Sequence, residues 1–208
     1  MLLYAITDRQ WLNNRPLEEV VELALIGGVT MLQLREKHQS KEQIIKQAKS
    51  IKKICNRYDV PLIINDSVDI CIASHADGVH IGQKDGSVSL ARQQLGKDCI
   101  LGVTANRVHL AIQAQEDGAD YIGAGAVFGS NTKLDAQYLD KTTCANISQN
   151  ISIPMVAIGG INHDNISNLQ GYGMNGFAVI SAIFASSDIT LSTQLIKQKA
   201  IKVLNNEI

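Results

Sequence analysis

Three things are scarce in this chain of 208 residues, and each absence removes a class of function. The first is an excess of charge of one sign. With 19 Lys+Arg against 20 Asp+Glu, the formal net charge is -1, so no global field exists to hold nucleic acid or an anionic membrane. An anionic ligand must then be met by a local cluster. The second is a long apolar run. A membrane-spanning helix needs roughly 20 consecutive apolar residues, and the longest stretch here, around Phe177 to Ala185, is far shorter and carries Ser181. A soluble chain is expected. The start, Met1 to Ile6, has no basic segment and runs straight into Thr7-Asp8, so it does not read as a signal peptide. The third is any pairing of cysteines. Cys55, Cys71, Cys99 and Cys144 are scattered, with no CxxC and no His at ligand spacing. Four reduced thiols in a cytoplasm, without structural zinc, are the expectation.

What is present is enough apolar chain, 45% of residues with 19% charged, to bury the core of one globular domain over residues 1–208. Short β-rich runs recur along the whole length: Leu2 to Thr7, Met31 to Arg35, Pro61 to Asp66, Gly78 to Gly82, Ile100 to Thr104, Tyr121 to Ala126, Pro154 to Gly160 and Gly176 to Ala182. Most are nearly continuous Val/Ile/Leu/Ala/Gly segments, as parallel strands covered on both sides require. Helical stretches follow each one: Pro16 to Ile26, Ser40 to Tyr58, Val68 to Ser74, Val88 to Leu95, Arg107 to Asp117, Asp140 to Ser148, Asp164 to Tyr172 and Thr190 to Leu204. The clearest is Ser40 to Tyr58, where Ile44, Ile45, Ala48, Ile51, Ile54 and Cys55 fall at helical spacing. Eight strand-helix units predict an α/β fold, a single (β/α)8 TIM barrel, with an open α/β sheet as the alternative.

Some polar residues fall where such a barrel has no structural use for them. Strand residues alternate between the barrel axis and the helices. In Met31 to Lys37 that alternation turns Gln33, Arg35 and Lys37 towards the axis, at the C-terminal mouth where barrel enzymes do their chemistry. A solvated strand end is the plainer alternative. Asp66 and Asp85 lie just past neighbouring strands, and two carboxylates on one rim suit Mg2+, which fills its octahedron with water and substrate phosphate. Asp66 taken alone also reads as a helix N-cap. Asp69 and Asp77 fall away from the strand ends and read as surface or capping groups. His80, inside an apolar strand, is either a satisfied core histidine or a ligand contact. The loop Phe128 to Lys133, with Ser130, Asn131, Thr132 and Lys133, offers hydroxyls, backbone N-H groups and a cation to an anion, or is a plain surface turn. After strands seven and eight, Gly159-Gly160 and Ile180-Ser181 occupy the places where many barrels bind phosphate.

Read together, YAITD at Tyr4 to Asp8, GGVTMLQLREK at Gly27 to Lys37, PLIIND at Pro61 to Asp66, ADGVHIGQKD at Ala76 to Asp85, LGVT at Leu101 to Thr104, GADYIGAGAVFGSNTK at Gly118 to Lys133, IPMVAIGGI at Ile153 to Ile161 and VISAI at Val179 to Ile183 closely resemble the thiamine-phosphate synthase family. The resemblance runs over nearly the whole chain. It implies a barrel transferase of thiamine biosynthesis that uses Mg2+ to join hydroxymethylpyrimidine diphosphate to thiazole phosphate, giving thiamine phosphate and diphosphate. Carried over by position, it implies Asp66 and Asp85 as metal ligands. It implies Gln33, Arg35, Glu36, Lys37, Asn65, Thr104 and Lys133 around the pyrimidine diphosphate, with Arg35, Lys37, Lys133, Thr104 and His80 acting in catalysis. For the thiazole phosphate it implies Ser130, Asn131, Thr132, Gly159, Gly160, Ile180 and Ser181. Three departures stand out. The loop usually reading PVFPTxTK has lost both prolines, the frequent Ser at the end of strand five is Thr104, and the Arg often found after the Asn-Asp pair is Ser67.

The resemblance further implies that diphosphate leaves first and that the thiazole nitrogen then attacks with its own lone pair, so fixed cations are needed and a general base is not. A thiazole tautomerase and a non-catalytic phosphate-binding barrel are the rival readings. The expected partners are small-molecule substrates, with no nucleic acid and no membrane, in a cytoplasmic protein. A homo-oligomer is compatible with the sequence.

Overall fold

Strands in this protein are short. The computed structural model describes residues 2–129 and 139–207. Its strands are β1 (Leu3–Ile6), β2 (Met31–Leu34), β3 (Leu62–Asn65), β4 (Gly78–Ile81), β5 (Ile100–Thr104), β6 (Tyr121–Gly125), β7 (Met155–Ile158) and β8 (Gly176–Val179). Each pairs in parallel with the next, and β8 returns to β1 with Tyr4 opposite Ala178, closing the barrel. Every residue of β1, β2, β6 and β8 is buried, which is why these segments, Gln33 apart, read as near-continuous apolar runs.

The outer ring consists of α1 (Leu17–Ile26), α2 (Lys41–Arg57), α3 (Val68–Ser74), α4 (Val88–Leu95), α5 (Val108–Glu116), α6 (Lys141–Gln149), α7 (Ser181–Phe184) and α8 (Ile189–Leu204). Polar caps start several of them. Ser40 forms a capping box with Gln43 at α2, and Ser67, Ser87, Asp140 and Asp188 cap α3, α4, α6 and α8 through their side chains. Ser67, one of the departures noted above, therefore has a structural use.

Two expectations are corrected. The helix expected over Asp164 to Tyr172 is only a 3-10 turn, Ile166–Leu169. Asn162 and Asn165 explain it: the Asn162 Oδ1 accepts from the Asp164 and Asn165 amides, and the Asn165 Oδ1 accepts from the Asn162 amide, a local network that competes with helix. The strand expected through Ala182 ends at Val179, and Ser181 opens α7 instead. A continuous apolar run cannot tell a strand from the helix that follows it.

The core has two compartments. A large one lies between sheet and helices, and a small one fills the barrel axis with Tyr4, Ile6, Met31, Ile63, Tyr121, Val156 and Ala178. Glycines make space for the bulky members of the axis. A Cβ on Gly102 would sit 2.1 Å from Tyr121 Cζ, and one on Gly123 would sit 2.9 Å from His80 Cε1.

The N-terminal face is closed by a repeated device. The polar residue before each even-numbered strand accepts from a backbone amide at the start of the preceding odd one. Thr30 Oγ1 accepts from Leu3 N at 2.9 Å, Asp77 Oδ2 from Leu62 N at 2.7 Å, Asp120 Oδ2 from Leu101 N at 2.7 Å and Asn175 Oδ1 from Met155 N at 2.9 Å. In each pair the backbone answers, the N-H of the polar residue donating to the carbonyl of its partner.

Candidate active site

At the C-terminal mouth, β2 delivers the first group. Gln33 is only 3% exposed and its Nε2 donates to the Tyr4 hydroxyl at 2.7 Å, inside the barrel. One turn of the alternation further out, Arg35 is half-buried, its Nη1 donating to Asp8 Oδ2 at 3.2 Å. Thr7, itself buried, accepts from the Arg35 amide at 3.0 Å and so fixes where β2 ends. Lys37 reaches across to β3 and donates from Nζ to Asp66 Oδ2 at 2.5 Å.

Glu36 is not with them. It points away from the axis, only 2% exposed, and accepts from Arg9 Nε at 2.8 Å. Arg9 also donates to Gln47 on α2, so this pair ties the β1 and β2 loops to the outer ring. The other carboxylate oxygen of Glu36 is buried and has no hydrogen-bond partner among the described residues.

Asp66 sits at φ +66, a left-handed conformation that Asp tolerates better than most residues, and its amide donates to the His80 carbonyl at 2.8 Å. The Asp85 and Asn65 side chains lie within hydrogen-bonding reach of its carboxyl. Burial pushes that carboxyl up, but Lys37 outweighs the burial, with help from Asp85 and Asn65, and holds it below the ordinary carboxylate value. Asp85 is exposed, and its Oδ2 accepts from the Gly82 amide at 2.7 Å. Two hard-oxygen carboxylates side by side on a partly exposed rim fit Mg2+, an ion that completes its octahedron with water and phosphate. Among the described residues no group of three or more His, Cys, Asp or Glu is gathered, so a soft or fully protein-ligated ion does not fit.

His80 lies below this rim. Its Nδ1 is 3.0 Å from the Tyr121 hydroxyl and its Nε2 2.9 Å from Thr104 Oγ1. Tyr121 in turn is 2.9 Å from the Tyr4 hydroxyl, the two rings meeting edge to face. Burial raises both phenols well above their usual range; the contact between them adds to the rise at Tyr121 and opposes it at Tyr4. Five side chains from β1, β2, β4, β5 and β6 thus form one polar chain across the axis. Tyr4, Tyr121 and Asp8 have no assigned role in the sequence reading. A tyrosine in an all-apolar strand is a signal, but which side chains it meets depends on the register between strands.

On the far rim, Gly159 (φ +105) and Gly160 (φ +65) follow β7. A Cβ on Gly159 would come within 2.5 Å of Ala126 Cβ, and one on Gly160 within 2.3 Å of the Gly129 carbonyl oxygen. Their lack of side chains lets the β6 and β7 loops touch, whatever else binds there. Ile180 packs against the axial cluster and Ser181 is exposed at the first residue of α7. Ser130, Asn131, Thr132 and Lys133 lie outside the described residues.

Comparison with known proteins adds the following. The family model described as thiamine monophosphate synthase matches residues 3–183. A thiamine-phosphate synthase of Clostridium tetani is 48% identical over 187 residues, covering 90% of this chain and 90% of its own. One from Clostridium beijerinckii is 43% identical over 201 residues, covering 97% and 96%. The solved structure of thiamine phosphate pyrophosphorylase from Pyrococcus furiosus superposes with a TM-score of 0.89 at 34% identity, over 98% of this chain and 96% of that one. With its eight-stranded barrel closed and the match running from β1 into α7, the chain belongs to the thiamine monophosphate synthase family.

Proposed function

We infer that this chain is a transferase that joins hydroxymethylpyrimidine diphosphate to thiazole phosphate, releasing diphosphate and forming thiamine phosphate. The observation that carries the site assignment is one rim bearing the Asp66 and Asp85 carboxylates beside Lys37 and Arg35. Gln33 and Asn65 face the mouth from neighbouring strands and hold the pyrimidine. Arg35 and Lys37 are engaged with Asp8 and Asp66, and both ion pairs keep the cations aimed at the rim rather than into water. Lys133 joins them in this reading. Asp66 and Asp85 would hold Mg2+, which when bound would supply neutralising charge to the departing diphosphate. Cations fixed beforehand stabilise that growing charge without having to reorganise. The thiazole nitrogen attacks with its own lone pair, so no residue need take a proton from the nucleophile. Gly159, Gly160, Ile180 and Ser181, with Ser130, Asn131 and Thr132, form the end that takes the thiazole phosphate.

In this reading the whole chain is one catalytic domain working in a cytoplasm on small molecules alone, with Mg2+ as cofactor. No helix among the described residues is long and apolar enough to cross a membrane. The decisive experiment measures diphosphate release and thiamine phosphate formation from the two substrates, with Mg2+ and with a chelator. Both products should form only with the metal. A protein that isomerises or merely binds thiazole phosphate and releases no diphosphate would overturn the reading in favour of a tautomerase or a binding barrel.

A further inference from the structure

We propose that Tyr4, Tyr121 and His80 form a one-way hydrogen-bond relay that sets Gln33 as an acceptor and Thr104 as a donor at the mouth, making the three of them positioning residues. The inference rests on the reading above for the substrate contacts of Gln33 and Thr104.

The direction follows from counting hydrogens. Gln33 donates from Nε2 to the Tyr4 oxygen. Tyr4 is buried and protonated, so its own hydrogen needs an acceptor, and the Tyr121 oxygen stands at 2.9 Å. Tyr121, also buried and protonated, then passes its hydrogen to His80 Nδ1 at 3.0 Å. A neutral imidazole whose Nδ1 accepts carries its proton on Nε2, and that proton goes to Thr104 Oγ1 at 2.9 Å. Having accepted, Thr104 keeps its own hydrogen for a ligand. At the other end, the Gln33 amide oxygen has no hydrogen-bond partner among the described residues and is left to accept. An amide oxygen suits an amino group on a pyrimidine, and a hydroxyl hydrogen suits a diphosphate oxygen. Reversal of the chain would spend the Thr104 hydrogen on His80 and turn lone pairs towards a polyanion. Gly102 and Gly123 are part of the device, since a Cβ on either would strike Tyr121 or His80.

Nitrogen NMR of protein labelled in histidine, with His80 assigned through its loss in His80→Gln, reads the tautomer without any turnover. Nδ1 should be bare and Nε2 protonated. A protonated Nδ1 overturns the relay. Kinetics supply the second arm. Thr104→Val should lower kcat roughly 100-fold, the usual cost of removing one aimed donor, and Tyr121→Phe roughly 10-fold with KM for the pyrimidine diphosphate close to wild type. On top of Thr104→Val, Tyr121→Phe should cost clearly less than the 10-fold that it costs alone, because part of its effect is exerted through that hydroxyl. Multiplied losses would mean an independent structural role and would overturn the proposal. Should Tyr121→Phe fail to fold, His80→Gln enters the same cycle. Wild-type kcat in Thr104→Val removes that hydroxyl from the site and overturns the relay while the transferase reading stands, whereas a wild-type protein that releases no diphosphate overturns the reading on which the relay rests.

Discussion

The two ends of this barrel use the same residue types for opposite purposes. At the N-terminal face, Asp77 and Asp120 each answer both a strand amide and a cation, Lys52 or Arg92. At the C-terminal face, Asp66 and Asp85 stand together and Lys37 answers only one carboxylate. Folding does not need like charges side by side, and it gains nothing from a hydroxyl chain through an apolar axis. Polar groups that are locally satisfied belong to the fold. Those crowded beyond what the fold needs belong to a ligand.

Substitutions at the two faces should therefore separate activity from stability. The largest effect is expected from Asp66→Asn or Asp85→Asn, each removing a hard anionic ligand without changing side-chain volume. Turnover should fall by roughly 100-fold or more while circular dichroism and the melting midpoint stay near wild type. Activity near wild type in either variant would remove that residue from the metal site. Asp77→Ala should do the reverse. The Leu62 amide and the Lys52 ammonium lose their acceptor, so urea unfolding should show a loss of about 2 kcal/mol, with kcat per folded molecule unchanged. A drop in kcat at full stability would mean that the two faces are coupled.

The smallest effect concerns Cys99, half-buried at the N-terminal face with its Sγ 3.7 Å from that of Cys71. The contact with Cys71 lowers the Cys99 thiol despite its burial, and Arg92 adds to the effect. Burial raises Cys55 to about 12 and Cys144 to about 11. Cys99 should be the first thiol alkylated in the native protein, mapped by peptide mass. Saturation with both substrates should leave its rate unchanged. Protection by substrate would place the ligand at the wrong end of the barrel.

Eight near-continuous apolar runs were enough to predict the barrel, because parallel strands buried on both sides leave that signature and few others. Their ends were less legible. Gly176 to Ala182 is apolar throughout, yet the backbone turns at Ile180 and the run finishes in α7. Alternation within β2 sufficed to turn Gln33 inward, since one strand carries its own parity. It also separates Glu36 from Arg35 and Lys37, although the resemblance groups all three. The hydroxyl chain was beyond reach for a different reason: Tyr4, His80 and Tyr121 meet only once the registers of β1, β4, β5 and β6 are known, and no local pattern encodes a register between strands.

The four reciprocal closures of the N-terminal face also bear on how the chain assembles. Their partners are 27, 15, 19 and 20 residues apart, whereas the seam joins Tyr4 to Ala178 across almost the whole chain. Short loops cost less entropy to close than long ones, and local contacts form sooner. Each odd strand can therefore lock to its even successor before any ring exists, and the β8–β1 seam should be the last to close. Pulsed hydrogen exchange during refolding should accordingly protect the Leu62, Leu101 and Met155 amides ahead of Phe177, whose amide donates to Leu2 across that seam.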